Sequence, residues 1–375
     1  MDPERKQNID SGGLLRGAIP AAKESQISIA NISSKNAQDT IDAAWLKLDI
    51  PTPLIHDGSD AQTQAAHLRK LCRDVSVKYQ MLPSTFYLTG VVCVNREPSE
   101  TTRYVDIYEG KYQGASVVLK RPRILDDFSG DEDKKPVFCC ESILWSKLSH
   151  RHVLPLLGVS MEALPDIVCA VLPKLGSENL RQRLMSREPD KQLTEVNYEQ
   201  YVNRWLHETA QGLAYLHHQG VVHGDLHGGN LLIDDADSVR ISDFGIAIMS
   251  TAIMDEYGSG HAATAYQYMA PELLDPELFE SCTRFPSTAS DIYAFACTAI
   301  ELYTGKVPFS SRRDTLYAVS KRVGRGERPP RPCTPFGAPM GDALWELVEK
   351  SWAHQPKTRL TAAQVAQGME TIARS

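Results

Sequence analysis

Apolar positions change period twice along the chain, near residue 86 and again near residue 176. Ile41, Ala44, Trp45 and Leu48 share one face of a helix expected over 40–49, and Pro51 ends it. Ser59-x-x-Gln62 reads as a capping box. It opens a second helix with Ala65, Leu68, Leu71, Cys72 and Val75 on its apolar face, closed by Pro83. Short β-type runs follow at 86–94, 104–108 and 116–120, then a helix over 137–148, then further runs at 153–159 and 167–172. Past Gly176 the pattern is mostly helical. Asn197-x-x-Gln200 starts an amphipathic helix to His218, with Gly220 as its stop. Residues 290–304 are nearly all apolar, which predicts a buried helix ending at Gly305. A small sheet-rich part followed by a larger helical part is an α+β arrangement. No internal repeat is present.

Composition narrows this picture. With 42% hydrophobic and 23% charged residues in 375, the chain is globular rather than disordered throughout. Residues 1–38 are the exception: they are polar, lack any aromatic residue, and are expected to form a disordered tail. A net charge of −7 argues against a nucleic-acid partner. Eight scattered cysteines without a C-x-x-C suit free thiols in a reducing compartment. The apolar run Ile292 to Ile300 is too short to cross a bilayer, and MDPERKQNID offers no apolar signal region. The expectation is a cytoplasmic protein with no membrane partner.

Three stretches carry candidate chemistry. Lys120 ends the run Ser-Val-Val-Leu-Lys, where alternation sets it opposite Leu119. Glu141 lies within a stripe made by Phe138, Leu144, Trp145 and Leu148. A carboxylate facing a core is costly unless paired, and Lys120 is the available partner. Asp225 and Asn230 stand five apart in a loop after a helix, with a Gly-Gly pair between them to let the backbone turn tightly. Asp243-Phe244-Gly245 follows, then Ala270-Pro271-Glu272, Asp291 and Arg359.

In order and spacing these motifs resemble the eukaryotic protein kinase family over about residues 98–372. His-Gly-Asp-Leu, Tyr-Met-Ala-Pro-Glu-Leu-Leu and the Trp145 context look like the tyrosine-kinase-like group expanded in basidiomycete fungi. The resemblance implies a two-lobed fold: a small lobe over 98–174 and a mainly helical lobe over 175–372, behind a helical lead-in at 39–97. It implies a kinase that transfers the γ-phosphate of ATP to Ser/Thr hydroxyls of protein substrates. Lys120, oriented by Glu141, would hold phosphates, and Asp225 would take the acceptor's proton. Asn230 and Asp243 would bind Mg²⁺, a hard ion that prefers oxygen ligands. Ile107, Val118, Leu172 and Leu232 are assigned with Lys120, Asn230 and Asp243 to the ATP site. Glu272 and Arg359 would form a buried ion pair, Asp291 would anchor the loop of Asp225, and His223, Phe244 and Trp145 would stack. A signalling partner is expected through residues 40–80.

The sequence also departs from the family. Glu100, Thr102 and Val105 stand where the phosphate-covering loop has its three glycines, and Val118 replaces the usual Ala. These two changes motivate an alternative reading, a pseudokinase scaffold that binds ATP weakly or not at all. Gly224 replaces an Arg that clamps phosphorylated activation loops, and Gly229 lacks the Arg of tyrosine kinases. His227 stands in the place of a phosphate-contacting Lys; a protonated imidazole doing part of that work and a solvated loop histidine are both open. Ser250, Thr251, Ser259, Thr264 and Tyr266 are read as polar loop residues, and the acidic run 126–133 as a solvated loop.

Overall fold

The computed structural model describes residues 32–49, 58–101, 105–122, 135–164, 168–176, 178–186, 188, 192–244, 266–279, 285–311 and 315–374. The tail up to residue 31, Pro51, the side chains of Ser59 and Gln62, Thr102, the acidic run 126–133, Gly245 and the segment 246–265 lie outside the described residues.

Helices α1 (Ser34–Asp49) and α2 (Gly58–Tyr79) lead into the small lobe. Helix α1 starts six residues before the expected 40 and takes in the end of the expected tail; Ala37 is already buried there. The sheet comprises β1 (Val92–Cys93), β2 (Glu100–Thr101), β3 (Val105–Tyr112), β4 (Ala115–Pro122), β5 (Gly158–Ser160) and β6 (Cys169–Pro173), all paired antiparallel. Its order is β1-β3-β4-β6-β5, with β2 also on β3. Strands β1 and β2 are parts of one edge. Val94 N donates to Glu109 O and Ser99 N to Ile107 O, so residues 95–98 bulge out between them. The sheet therefore begins upstream of residue 98, within the stretch read as lead-in.

Strand β4 shows why the alternation pattern was informative. Val117 and Leu119 are buried with Tyr108, Cys169 and Val171 on one face, which leaves Val118 and Lys120 on the other. Helix α3 (Lys135–Trp145) follows β4 and carries Glu141. Its apolar residues divide between two clusters. Phe138, Cys139 and Ile143 pack with the lead-in helices, whereas Trp145 and the following Leu148 join the core of the large lobe. The single stripe expected from sequence is thus two faces.

The large lobe holds α4 (Leu180–Met185), α5 (Tyr198–His218), the hairpin β7 (Leu231–Ile233) and β8 (Val239–Ile241), α6 (Pro271–Leu274), α7 (Thr288–Thr304), α8 (Leu316–Gly324), α9 (Asp342–Ser351) and α10 (Ala362–Arg374). Its core contains most of α7 together with Trp205, Leu206, Leu213 and Leu216 of α5. Ser287 and Ser290 form a capping box at the start of α7, and Gly305 closes it at φ 66°. Gly212 lets α5 approach β8 and the His152 backbone closely, since a Cβ there would lie 2.7 Å from His152 O and 2.8 Å from the Ile241 side chain. The cap expected at Asn197 is absent: its carboxamide turns back to accept from Thr194 N at 2.7 Å. This is the α+β, two-lobed fold that the resemblance implies.

Candidate active site

Register brings the first two candidates together. Lys120 sits opposite Ile107 on β3 and Ala170 on β6, on the face that looks away from the sheet's own buried cluster. Its Nζ lies 2.6 Å from Asp243 Oδ1 and 3.9 Å from Glu141 Oε1. Burial opposes the charge on Lys120, but Asp243 and then Glu141 outweigh it and the ammonium titrates above the usual lysine range. Asp243 is held below its ordinary range because the Lys120 charge and hydrogen bond exceed the burial effect. Glu141 titrates higher than a free glutamate: burial dominates, and Lys120 at 3.9 Å only partly offsets it. The cation thus leans on Asp243, with Glu141 as a longer-range partner.

The hairpin β7–β8 joins the other two acceptors. Leu231 pairs with Ile241, so the residues just outside the ladder, Asn230 and Ser242, face each other. Ser242 N and Oγ both donate to Asn230 O, at 2.9 and 3.0 Å. Asp243 is the next residue, held at φ 57°, a left-handed conformation that Asp tolerates better than most residues. Asn230 Nδ2 donates to Asp225 O at 2.8 Å and lies 3.3 Å from Asp225 Oδ2. With its NH₂ end committed, the amide oxygen of Asn230 is the end left to ligate. The carboxylate of Asp243 and this amide oxygen are hard oxygen donors of the kind that Mg²⁺ prefers, and these two residues could hold it. Among the described residues no cluster of three His, Cys, Asp or Glu side chains offers a protein-only metal site. Two protein oxygens would suit a Mg²⁺ ion shared with phosphates.

Helix α7 holds the loop of Asp225 from below. Asp291, buried, accepts from His223 N at 2.7 Å and Gly224 N at 2.8 Å, and lies 2.8 Å from His217 Nε2. Thr298 Oγ1 donates to Ala294 O of its own helix at 2.8 Å and lies 3.3 Å from Leu226 O. Glu301 accepts from Gly228 N at 2.8 Å and from Arg181 Nε at 2.6 Å, and Arg181 Nη2 reaches the Tyr268 hydroxyl at 3.2 Å. Asp291 does the anchoring expected of it. Glu301, Thr298 and Arg181 were not singled out from sequence. Glu301 carried a readable signal, a carboxylate inside a nearly all-apolar helix; Arg181 carried none.

The Gly-Gly pair serves space rather than a turn. Neither Gly228 nor Gly229 has positive φ, whereas Gly224 does, at 79°. A Cβ on Gly229 would lie 2.8 Å from the His227 ring. That ring folds back so that Nδ1 accepts from Gly229 N at 3.0 Å, leaving Nε2 3.8 Å from Asp225 Oδ2. Burial, with the Arg181 charge, lowers the His227 pKa despite Asp225. His227 is therefore a largely buried imidazole rather than a solvated one, with its pKa held below the ordinary histidine range by burial. The three rings meet but do not stack: Phe244 meets Trp145 at 5.0 Å and His223 at 6.2 Å, both edge-on. Arg359 and Glu272 form the buried pair, bidentate at 2.7 Å on each arm.

The assigned apolar residues are placed unevenly. Leu172 belongs to the large-lobe core, and Val118 and Leu232 pack against it. All three thus belong with one core cluster. Ile107 joins no described cluster. Glu100 and Val105 sit in paired strands, with Glu100 opposite Ile107 and Val105 opposite Pro122.

Residues 101–369, more than half of the chain, match the family model for protein tyrosine and serine/threonine kinases. The serine/threonine/tyrosine-protein kinase HT1 of Arabidopsis thaliana is 29% identical over 258 residues, covering 68% of this chain and 59% of that protein. Serine/threonine-protein kinase 12 of the same plant is 26% identical over 287 residues, covering 74% and 58%. The serine/threonine-protein kinase mos of Xenopus laevis is 28% identical over 292 residues, covering 73% and 74%. The match spans less than two thirds of the first two relatives' own length.

Proposed function

The chain belongs to the protein tyrosine and serine/threonine kinase family, and on that premise we propose that it transfers the γ-phosphate of ATP to Ser/Thr hydroxyls of protein substrates. One observation carries the reading: the Lys120 ammonium lies between Asp243 and Glu141, and Asp243 follows directly on the residue that pairs with Asn230. Lys120 would hold phosphate oxygens, and Asn230 with Asp243 would hold Mg²⁺. The metal, when bound, supplies charge neutralisation on the phosphates. Asp225, its backbone pinned by α7 and its side chain beside Asn230 Nδ2, would accept the acceptor hydroxyl's proton and aim its oxygen. Val118, Leu172 and Leu232 would receive the adenine, with Ile107 above. The relatives named as serine/threonine kinases and the glycine at 229 support the acceptor class.

We assign the catalytic unit to residues 98–372, divided between 174 and 175, with the tyrosine-kinase-like group of the basidiomycete type as the nearest style. No helix among the described residues is long and apolar enough to cross a membrane, and a cytoplasmic site of action is proposed. A signalling partner recruited through residues 40–80 would meet polar faces, because Ile41, Ala44 and Trp45 are buried within the chain itself.

The test is transfer to generic Ser/Thr and Tyr peptides by wild type beside Asp225→Asn and Lys120→Met. Both variants should remain folded and lose transfer. Full-rate transfer by Asp225→Asn would falsify the assignment of the base. Mg-ATP should also raise the melting temperature, since a ligand bound only by the native state must stabilise it. No shift at millimolar nucleotide would favour the scaffold reading.

A further inference from the structure

Helix α3 carries Glu141 on one face and the lead-in helices on the other. At about 100° per residue, Cys139 and Ile143 point away from Glu141 and Trp145. Cys139 and Ile143 are buried in a cluster with Ile32, Ala37, Ile41 and Trp45 from the α1 side and Cys72 and Val75 from α2. Trp45 links this cluster to the segments on either side of α3. It meets Phe86 edge-on at 4.8 Å, and Lys147, two residues past the end of α3, places its Nζ 4.1 Å from the Trp45 ring. The lead-in is itself tied down. Gln38 Nε2 donates to Leu82 O at 3.0 Å, and Asp42 accepts from Ser84 N at 2.6 Å and Ser84 Oγ at 2.7 Å. On the far face, Trp145 packs edge-on against Phe244, next to Asp243.

We propose that Trp45 is a positioning residue for phosphate transfer: with α1 and α2 it braces α3 from behind, and so sets how closely Glu141 approaches Lys120. The lead-in is then a working part of the kinase rather than a separate recruiting module. This rests on the kinase reading above. The physical argument is one of leverage. Glu141 makes no hydrogen bond to Lys120 and stands at 3.9 Å, so the pair does not hold the helix by itself. On the side away from the cleft α3 is held by the cluster that Cys139 and Ile143 share with Trp45 of α1 and Cys72 and Val75 of α2, and close-packed clusters transmit displacement.

The test is a double-mutant cycle in the full chain, with Trp45→Ala and Glu141→Gln made singly and together. Trp45→Ala should lower kcat/KM for ATP about tenfold and leave KM for the peptide within about twofold, while the double variant should lose less than about twofold beyond Glu141→Gln, because residues acting through one contact are not additive. Trp45→Phe, which keeps an aromatic ring for Lys147 and Phe86, should restore most of the loss. Should Trp45→Ala not fold, Trp45→Leu takes its place in the cycle. Hydrogen exchange over α3 is read in parallel and should speed up in the same variants. Unchanged α3 exchange in a folded Trp45 variant, or losses that simply multiply in the double variant, overturn the brace. A wild type without transfer overturns the activity reading alone, and the exchange rates still decide the brace.

Discussion

Removing the carboxylate of Asp291 should release the loop that carries Asp225. The side chain is buried and accepts two backbone amides, from His223 and Gly224, besides its contact with His217 Nε2. Asp291→Ala leaves those three donors without a partner, and at about 1–3 kcal/mol for each buried donor the loss comes to about 5 kcal/mol. His217 retains some exposure and can turn towards water, so the two amides carry most of it. Asp291→Asn is milder. One amide is then faced by an NH₂ group and the remaining bonds lose their ionic character, which together cost about 3 kcal/mol. Either value is a large fraction of the 5–15 kcal/mol typical of a folded domain. Urea unfolding of wild type and both variants reads the losses as shifts in midpoint at constant slope. In the folded fraction, kcat for peptide phosphorylation should fall about a hundredfold through misplacement of Asp225, while KM for ATP stays near wild type because Lys120 and Asp243 are untouched. A loss under about 1 kcal/mol for Asp291→Ala would show that the two amides find other acceptors, and the anchor argument fails.

Breaking the buried Glu272–Arg359 pair by Arg359→Met should cost about 3–5 kcal/mol in urea unfolding, and Glu272→Leu added to it should recover part of that, because the second change removes an unpaired buried charge. Burial lowers the pKa of both His152 and His223. Their unfolded forms bind protons first, so the stability that they contribute is complete above the ordinary histidine pKa of 6.5 and is lost as pH falls below it. Each contributes at most about 1.4 kcal/mol per pH unit. Melting curves from pH 7.5 to 5.5 should show the decline, and His152→Gln should flatten it. Gly229→Ala should displace the His227 ring, whose nearest atom would lie 2.8 Å from the new methyl group, and lower kcat with little change in melting temperature.

What was legible in the sequence depended on how local its cause was. The face of β4, and hence the placement of Lys120, follows from alternation over five residues. The end of α7 at Gly305 follows from a single left-handed residue. Glu141 was legible because a carboxylate in an apolar stripe demands a partner, and the same signal existed at Glu301, buried in α7. The cap at Asn197 failed because Asn has more than one local backbone partner on offer, and the upstream amide of Thr194 was the one taken. The Gly-Gly pair was misread for a related reason: glycine marks either a backbone angle or a lack of room, and only the fold shows the His227 ring lying against Gly229. Arg181 and the seat of the lead-in on α3 join stretches far apart in sequence, and no local pattern encodes such contacts.

The anchors on α7 explain why the loop of Asp225 can be both short and glycine-rich without being slack. Asp291 and Glu301 stand ten residues apart on one helix, a rise of about 15 Å. The amides they hold, at Gly224 and Gly228, are four residues apart and can span at most about 14 Å when extended. The loop therefore runs along α7, tied to it at both ends, with His227 between them in an extended conformation at φ −162°. A loop tied this closely needs a residue without a side chain where it passes the helix, and Gly228 meets that need, since a Cβ there would lie 3.0 Å from the Glu301 carboxylate. Asp225 is then presented from a backbone fixed on both sides. That is the condition for a proton acceptor whose work depends on aiming one oxygen.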